Sequence, residues 1–267
     1  MPQPENGTKP FRFSVIRAEG GPLEIIDRQT IVEAAISIEY NGIGYAVMMA
    51  TPVDLDDFGT GFSLSEGLIE NAGQILAIDS HKTDLGWILR IQLPNESAEK
   101  VFARARQRVS ESSCGLCGMD NLHEVMRLLP RMEAQIDVPD AAIFAALSSL
   151  REHQTLNAAT GSAHAAAFCA ADGTILMTRE DVGRHNALDK LIGALARLGI
   201  DPSSGFILLT ARCSLELVQK TILANCATLV TISAASDLAL QFARSSGLRL
   251  VSLARPDSAL VAIGQID

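Results

Sequence analysis

The sequence predicts an α/β protein: a three-layer sandwich with mostly parallel strands in the C-terminal half, preceded by a smaller α+β unit. Three observations carry this. From Ser162 to Ala254, β-rich runs and helix-period runs alternate as ββαβαβαβ, the order of a sheet covered by helices on both faces. Asn41-Gly42 and Asp172-Gly173, dipeptides at ease in left-handed turn conformations, each separate two β-rich runs and signal hairpins. Hydrophobic residues make up 48% of the 267 residues and aromatics only 4%, so the core is sizeable and built mostly of Ala, Leu, Ile and Val.

The elements follow in order. The start, MPQPENGTKPF, is polar and proline-bearing, and residues 1–20 are expected to be disordered. Residues 21–110 are expected to form the α+β domain. Within it Ile31–Tyr40 and Ile43–Ala50 read as strands, and Thr51-Pro52 ends the second. Asp54 or Asp57 can cap a helix running through Phe58, Phe62 and Leu64 to Ile69. A weaker strand pair follows at Ile75–Ser80 and Leu85–Leu93, then a charged stretch from Glu96 to Arg108. Residues 111–135 are expected to hold a mobile Cys-x-x-Cys loop and a connecting helix over Asn121–Leu129.

Residues 136–267 are expected to form the α/β domain. Pro139 precedes an amphipathic helix over Asp140–Glu152, and Ser162–Cys169 and Thr174–Arg179 form the hairpin around Asp172-Gly173. Leu188, Leu191, Ile192, Leu195 and Leu198 recur at helical spacing, with Gly199 as the stop. Phe206–Thr210 is a short buried strand, Ser214–Ala224 a helix, Thr228–Ser233 a strand, Asp237–Ser246 a helix closed by Gly247, and Leu248–Ala254 the last strand.

Composition excludes several classes. A net charge of −9 and an isoelectric point near 5.1 argue against nucleic-acid binding, which needs a basic footprint. The N-terminus resembles neither a signal nor a transit peptide, and no apolar run reaches membrane-spanning length. A soluble cytoplasmic protein with no membrane partner is expected. Five cysteines, an odd number, fit a reducing compartment rather than a disulfide framework.

The most informative stretch is Ser112-Ser113-Cys114-Gly115-Leu116-Cys117-Gly118. A Cys-x-x-Cys pair binds metal, cycles through a disulfide, or carries a group on sulfur. Structural zinc needs four ligands, and no second pair at short spacing accompanies this one, although His123 lies near. A thioredoxin-type pair sits at a helix start after an apolar strand, whereas Arg104–Ser113 is charged and serine-rich. Covalent carriage needs an accessible thiol on a flexible arm, often with a second thiol to help release the cargo, and the flanking glycines suit that. Cys169, Cys213 and Cys226 lie in apolar or mixed segments and read as core positions.

Three further clusters sit at strand-to-helix or loop-to-strand junctions, where ligands meet free backbone N–H groups. Arg184 and His185, in REDVGRHNALDK, can meet an anion or a purine edge, while Asp181 or Asn186 can instead cap the helix. His164 follows Thr160-Gly161-Ser162-Ala163, small residues that permit close approach of a ligand; a core histidine bonded to a carbonyl is the plainer alternative. Arg212 in Thr210-Ala211-Arg212-Cys213-Ser214 is placed for phosphate, with Ser214 as a helix cap.

Together ATPVDLDDFGTGFSLSEGLI, SSCGLCG, ATGSAHAAAF, REDVGRHNALDKLIG and LELVQK look like the formate dehydrogenase accessory sulfurtransferase family, the FdhD sulfur carriers, from about Ile31 to the C-terminus. The resemblance implies a cytidine-deaminase-like α/β domain with a smaller N-terminal domain, assembled as a homodimer. It implies that a cysteine desulfurase delivers sulfur to Cys114 as a persulfide, with Cys117 as partner thiol. The acceptor is then the molybdenum (or tungsten) bis(molybdopterin guanine dinucleotide) cofactor of formate dehydrogenase. It further implies that the cofactor's guanine-nucleotide part meets Leu253, Ala254, Arg255, Pro256, Asp257 and Ser258, with His164, Arg184, His185 and Arg212 lining the same pocket, and that no structural metal is present. Two other classes remain. A zinc deaminase needs His-x-Glu before Pro-Cys-x-x-Cys, but His164 is followed by Ala165-Ala166 and the cysteine pair precedes it. A non-catalytic cofactor chaperone would bind its cargo without either thiol.

Overall fold

The computed structural model describes residues 6–99, 101–102, 129–132 and 136–262. It opens with an antiparallel hairpin, β1 (Thr8–Val15) against β2 (Glu24–Ile31), in register from Thr8 opposite Ile31 to Val15 opposite Glu24. This corrects the disorder expected for residues 1–20 over Thr8–Val15; residues 1–5 lie outside the described residues. Phe11, Phe13 and Val15 alternate along one side of β1, and Gly20 and Gly21, both at positive φ, let the chain reverse. The polar, proline-bearing start masks that alternation in the sequence.

A four-stranded sheet follows in the order β4-β3-β6-β5, built from β3 (Ala34–Tyr40), β4 (Ile43–Ala50), β5 (Ala77–Lys82) and β6 (Trp87–Gln92). The Asn41-Gly42 turn is as read, with both residues at positive φ. One face buries Ile36, Ile38, Leu89 and Ile91 against Phe58 and Phe62 of α1 (Leu55–Ser65). The helix stops at Ser65, short of Ile69, because Gly67 turns the chain out at φ 67°. Neither aspartate caps it. Asp54 takes a left-handed conformation with no side-chain cap bond, and Asp57 lies inside the helix, paired with Arg179 and Arg197.

In chain order α2 (Asp140–Ser149) and the short α3 (Thr155–Thr160) follow the first sheet and precede the second. The second sheet has six strands in the order β12-β11-β10-β9-β7-β8. They are β7 (His164–Ala170), β8 (Ile175–Asp181), β9 (Gly205–Leu209), β10 (Thr228–Thr231), β11 (Arg249–Ser252) and β12 (Leu260–Val261). Here the expectation of mostly parallel strands is corrected. β9, β10 and β11 pair in parallel, but β7 runs antiparallel to both of its neighbours and β12 antiparallel to β11. The tight Asp172-Gly173 turn is the cause, since so short a link can only join antiparallel strands.

Alternation along these strands builds two cores. Ala166, Phe168, Ile207, Leu209, Leu229 and Leu250 face α4 (Arg184–Leu198), α5 (Leu215–Leu223) and α6 (Asp237–Ser246). Ala167, Cys169, Phe206, Leu208, Val230 and Val251 face α2 on the other side. Helices thus cover both faces, giving three layers in a mixed α/β fold.

The two sheets are joined by α1 lying on α4. Their backbones touch at glycines: a Cβ on Gly61 would stand 1.7 Å from the Asp189 carbonyl oxygen, and one on Gly193 would stand 1.9 Å from that of Asp57. No other residue fits either position without separating the helices. Among the described residues no helix is long and apolar enough to cross a membrane.

Candidate functional site

The carboxyl ends of β8, β9, β10 and β11 and the amino end of β7 share one edge of the six-stranded sheet, because β7 runs against β8 and β9. In open α/β sheets this edge is where ligands bind. The sequence candidates converge on it. His164 opens β7 opposite Asp181, its Nδ1 3.3 Å from the Thr210 carbonyl oxygen. Arg184 and His185 form the first turn of α4, whose N-cap is Gly183. Arg212 is exposed in the link from β9 to α5. After β11, Leu253 adopts φ 49° and donates its N–H to Ser233, and buried Ala254 donates to Thr231. Arg255, Pro256, Asp257 and Ser258 are exposed in a turn closed by the Arg255 N–H on the Ser258 carbonyl at 2.8 Å. Cys114 and Cys117 lie outside the described residues, as does the helix expected over Asn121–Leu129 except for Leu129, which is not helical.

The dense REDVGRHNALDK segment divides into structural and outward-facing parts. Asp181 accepts from Thr51 N at 3.0 Å, Gly183 N at 2.8 Å and Asn186 Nδ2 at 3.0 Å, and pairs with fully buried Lys190 at 2.7 Å. Lys190 also donates to the Thr51 carbonyl at 2.8 Å, and Asn186 Nδ2 to that of Met49 at 2.8 Å. Neither Asp181 nor Asn186 supplies a side-chain N-cap to α4; both tie its start to the end of β4. Glu180 accepts from Leu156 N at 2.7 Å and Asn157 N at 2.9 Å, capping α3 from a distance. Asp189 accepts from Ser65 Oγ and holds Lys220; burial pushes its carboxyl pKa up and Lys220 opposes that.

Arg184 and His185 are what remains for a ligand. Burial, then the nearby charges of Arg184 and Lys220, push the His185 pKa down to about 4. The imidazole is therefore neutral near pH 7, and its 3.1 Å contact with Glu216 is Nδ1–H donating to a carboxylate, not an ion pair. His164 adds to the same effect, which places the two histidines in one electrostatic neighbourhood. A depressed histidine pKa means that the unfolded chain takes up the proton first on acidification. Stability should hold above about pH 6.5 and fall progressively toward pH 4, and His185→Gln should flatten that window in urea unfolding followed against pH. Arg184 Nε and Ser214 Oγ are buried without a hydrogen-bond partner among the described residues. Ser214 is the N-cap residue of α5 but makes no side-chain cap bond.

A cavity of about 420 Å³ opens beside His164, lined also by Gln154, Asn157, Gly161, Thr210 and Ile232. Of the sequence candidates only His164 lines it; Arg184, His185, Arg212 and 253–258 stand along the same edge outside it. Gln154 and Asn157 escaped the sequence reading because nothing in a Gln-Thr-Leu-Asn stretch signals a ligand. Cys169, Cys213 and Cys226 are buried free thiols, and burial pushes each pKa up to about 12. They are unreactive core residues, as their apolar settings suggest.

A profile of the FdhD/NarQ family matches residues 31–263. A protein named sulfur carrier protein FdhD, from Xanthomonas euvesicatoria pv. vesicatoria (strain 85-10), is 41% identical over 248 residues, covering 93% of this chain and 88% of its own. Another of that name, from Variovorax paradoxus (strain S110), is 40% identical over 230 residues, covering 86% and 83%. A crystal structure of a proposed formate dehydrogenase accessory protein from Desulfotalea psychrophila aligns with a TM-score of 0.73 over 95% of this chain and 96% of that one; at 24% identity it shares the fold. Profile, sequence relatives and fold agree over most of the molecule: the chain belongs to the FdhD/NarQ family.

Proposed function

We propose that this protein is a sulfur carrier that supplies sulfur to the molybdenum (or tungsten) bis(molybdopterin guanine dinucleotide) cofactor of formate dehydrogenase. The observation that carries the reading is the glycine-flanked Cys114–Cys117 pair, inside a region matched to relatives named sulfur carriers. Cys114 thiolate attacks the outer sulfur of a cysteine desulfurase persulfide. The donor S–S bond breaks, the desulfurase thiolate leaves, and Cys114 holds the persulfide. On delivery Cys117 thiolate attacks the inner sulfur. A Cys114–Cys117 disulfide forms, and the outer sulfur departs as sulfide to replace an oxo ligand on the metal, the oxygen leaving as water. A cellular dithiol then reduces the disulfide.

The cofactor is the acceptor substrate. Its guanine-nucleotide part is held at the sheet edge by the 253–258 turn, with Arg184, Arg212 and Arg255 taking phosphate oxygens and His164 and His185 presenting ring edges. The unpartnered Arg184 Nε and Ser214 Oγ support a polar ligand there. The strand order β8-β7-β9-β10-β11 is compatible with a cytidine-deaminase-like domain. The reading places the protein in the cytoplasm as a homodimer.

The test is intact-protein mass spectrometry after incubation with a cysteine desulfurase and cysteine. One added sulfur atom, removed by reductant, is the expected result. No added sulfur, together with zinc in the untreated protein, would overturn the carrier reading in favour of a hydrolase.

A further inference from the structure

The groove beside His164 continues away from the sheet edge toward the N-terminal hairpin. A second cavity, of about 410 Å³, is lined by Arg28, Arg151, Gln154, Asn157, Ala158 and Gly161. It shares Gln154, Asn157 and Gly161 with the first cavity. A third, of about 370 Å³, shares Arg28 with the second and Ser162 with the first, and adds Phe13, Val15 and Ile26 of the hairpin. The three form one trough around the end of α3.

Two observations say that this trough is built for a ligand. Gln154 is only 7% exposed, yet its carboxamide has no hydrogen-bond partner among the described residues while the residue lines two of the cavities. An amide of a buried residue that is left unbonded by the protein and opens onto a cavity is available to a ligand there. Independently, neither Arg28 nor Arg151 has an ion-pair partner among the described residues, and no carboxylate lines the cavity they share. In a chain of net charge −9 that is a local concentration of positive charge. Glu180, which touches the same helix, is occupied by the backbone of Leu156 and Asn157.

We propose that this trough binds an organic phosphate. The guanidinium forks of Arg28 and Arg151 take the phosphate oxygens bidentately, as two cations around one oxyanion do. Gln154 and Asn157 offer a donor and an acceptor each to a polar edge. The volume exceeds what a bare ion fills, and Phe13, Val15 and Ile26 receive the flat or apolar body of the ligand. Arg28 precedes the region matched by the family profile, so this subsite depends on the hairpin of this chain. It is separate from Cys114 chemistry and from the 253–258 turn.

The test is isothermal titration of the full chain with adenosine diphosphate, adenosine and citrate; an adenine nucleotide keeps any guanine-selective edge out of the readout. Adenosine diphosphate should bind and adenosine far more weakly. Arg28→Gln and Arg151→Gln should each weaken binding about tenfold, the effect of losing one charge-assisted contact, while Arg244→Gln, an exposed arginine in the last turn of α6, leaves it unchanged. The proposal is overturned by no binding of the diphosphate, by full affinity in the double variant, by loss confined to Arg255→Gln, or by citrate binding as tightly. Sulfur loading of the double variant, measured separately by mass, reports on the carrier reading alone.

Discussion

Cys114→Ala should gain no sulfur at all from a cysteine desulfurase, whereas the unaltered protein gains one atom. The loss should be complete because Cys117 acts in release and the three cysteines of the described structure cannot substitute. Cys169, Cys213 and Cys226 are buried with pKa values pushed up to about 12, so at neutral pH they present neither thiolate nor access. Cys117→Ala should behave differently. It should still accept sulfur on Cys114 but release it slowly, because no neighbouring thiolate is left to displace the outer atom as sulfide. Intact mass before and after addition of an acceptor thiol separates the two variants. Full loading of Cys114→Ala would falsify the assignment of the carrier cysteine.

Lys190→Met should destabilise the fold by about 3–5 kcal/mol, the usual cost of stranding one member of a buried ion pair. Lys190 is fully buried, and its ammonium meets Asp181 at 2.7 Å and the Thr51 carbonyl at 2.8 Å. Methionine fills a similar volume but leaves the Asp181 charge without its counter-ion and a buried carbonyl short of a donor. Asp181→Asn with Lys190→Met should recover part of the loss, since it removes the stranded charge; the recovery is partial because the amide has one accepting oxygen and keeps the bond from only one of Thr51 N and Gly183 N, which meet different carboxylate oxygens. Urea unfolding of the two single variants and the double gives the coupling directly. A loss below about 1 kcal/mol for Lys190→Met would mean that the pair is not what fastens β4 to α4.

Much of the fold was legible because its signals are local. Asn41-Gly42 and Asp172-Gly173 turn where expected, and Gly199 and Gly247 end α4 and α6 in left-handed conformations. What stayed hidden depends on residues far apart in sequence. The β1–β2 hairpin closes across Gly20-Gly21 behind a proline-bearing start that reads as disorder. The REDVGRHNALDK segment reads as a binding loop because it is crowded with charge. Most of that charge meets partners more than a hundred residues away, among them Arg179 on Asp57 and Asp189 on Ser65. Arg184 and His185 stand outside that network. Gln154 and Asn157 carry no motif, and only folding sets them beside His164.

The glycine contact between α1 and α4 also constrains inheritance. With Gly61 against the Asp189 carbonyl and Gly193 against that of Asp57, neither helix tolerates a side chain at the crossing unless the other retreats. Retreat would pull Thr51 and Met49 from Asp181, Lys190 and Asn186, whose bonds span the same junction. The two sheets are therefore not interchangeable modules. A chimera taking one from a relative must bring matching glycines, lysine and aspartate with it, so the halves of this chain are bound to change together.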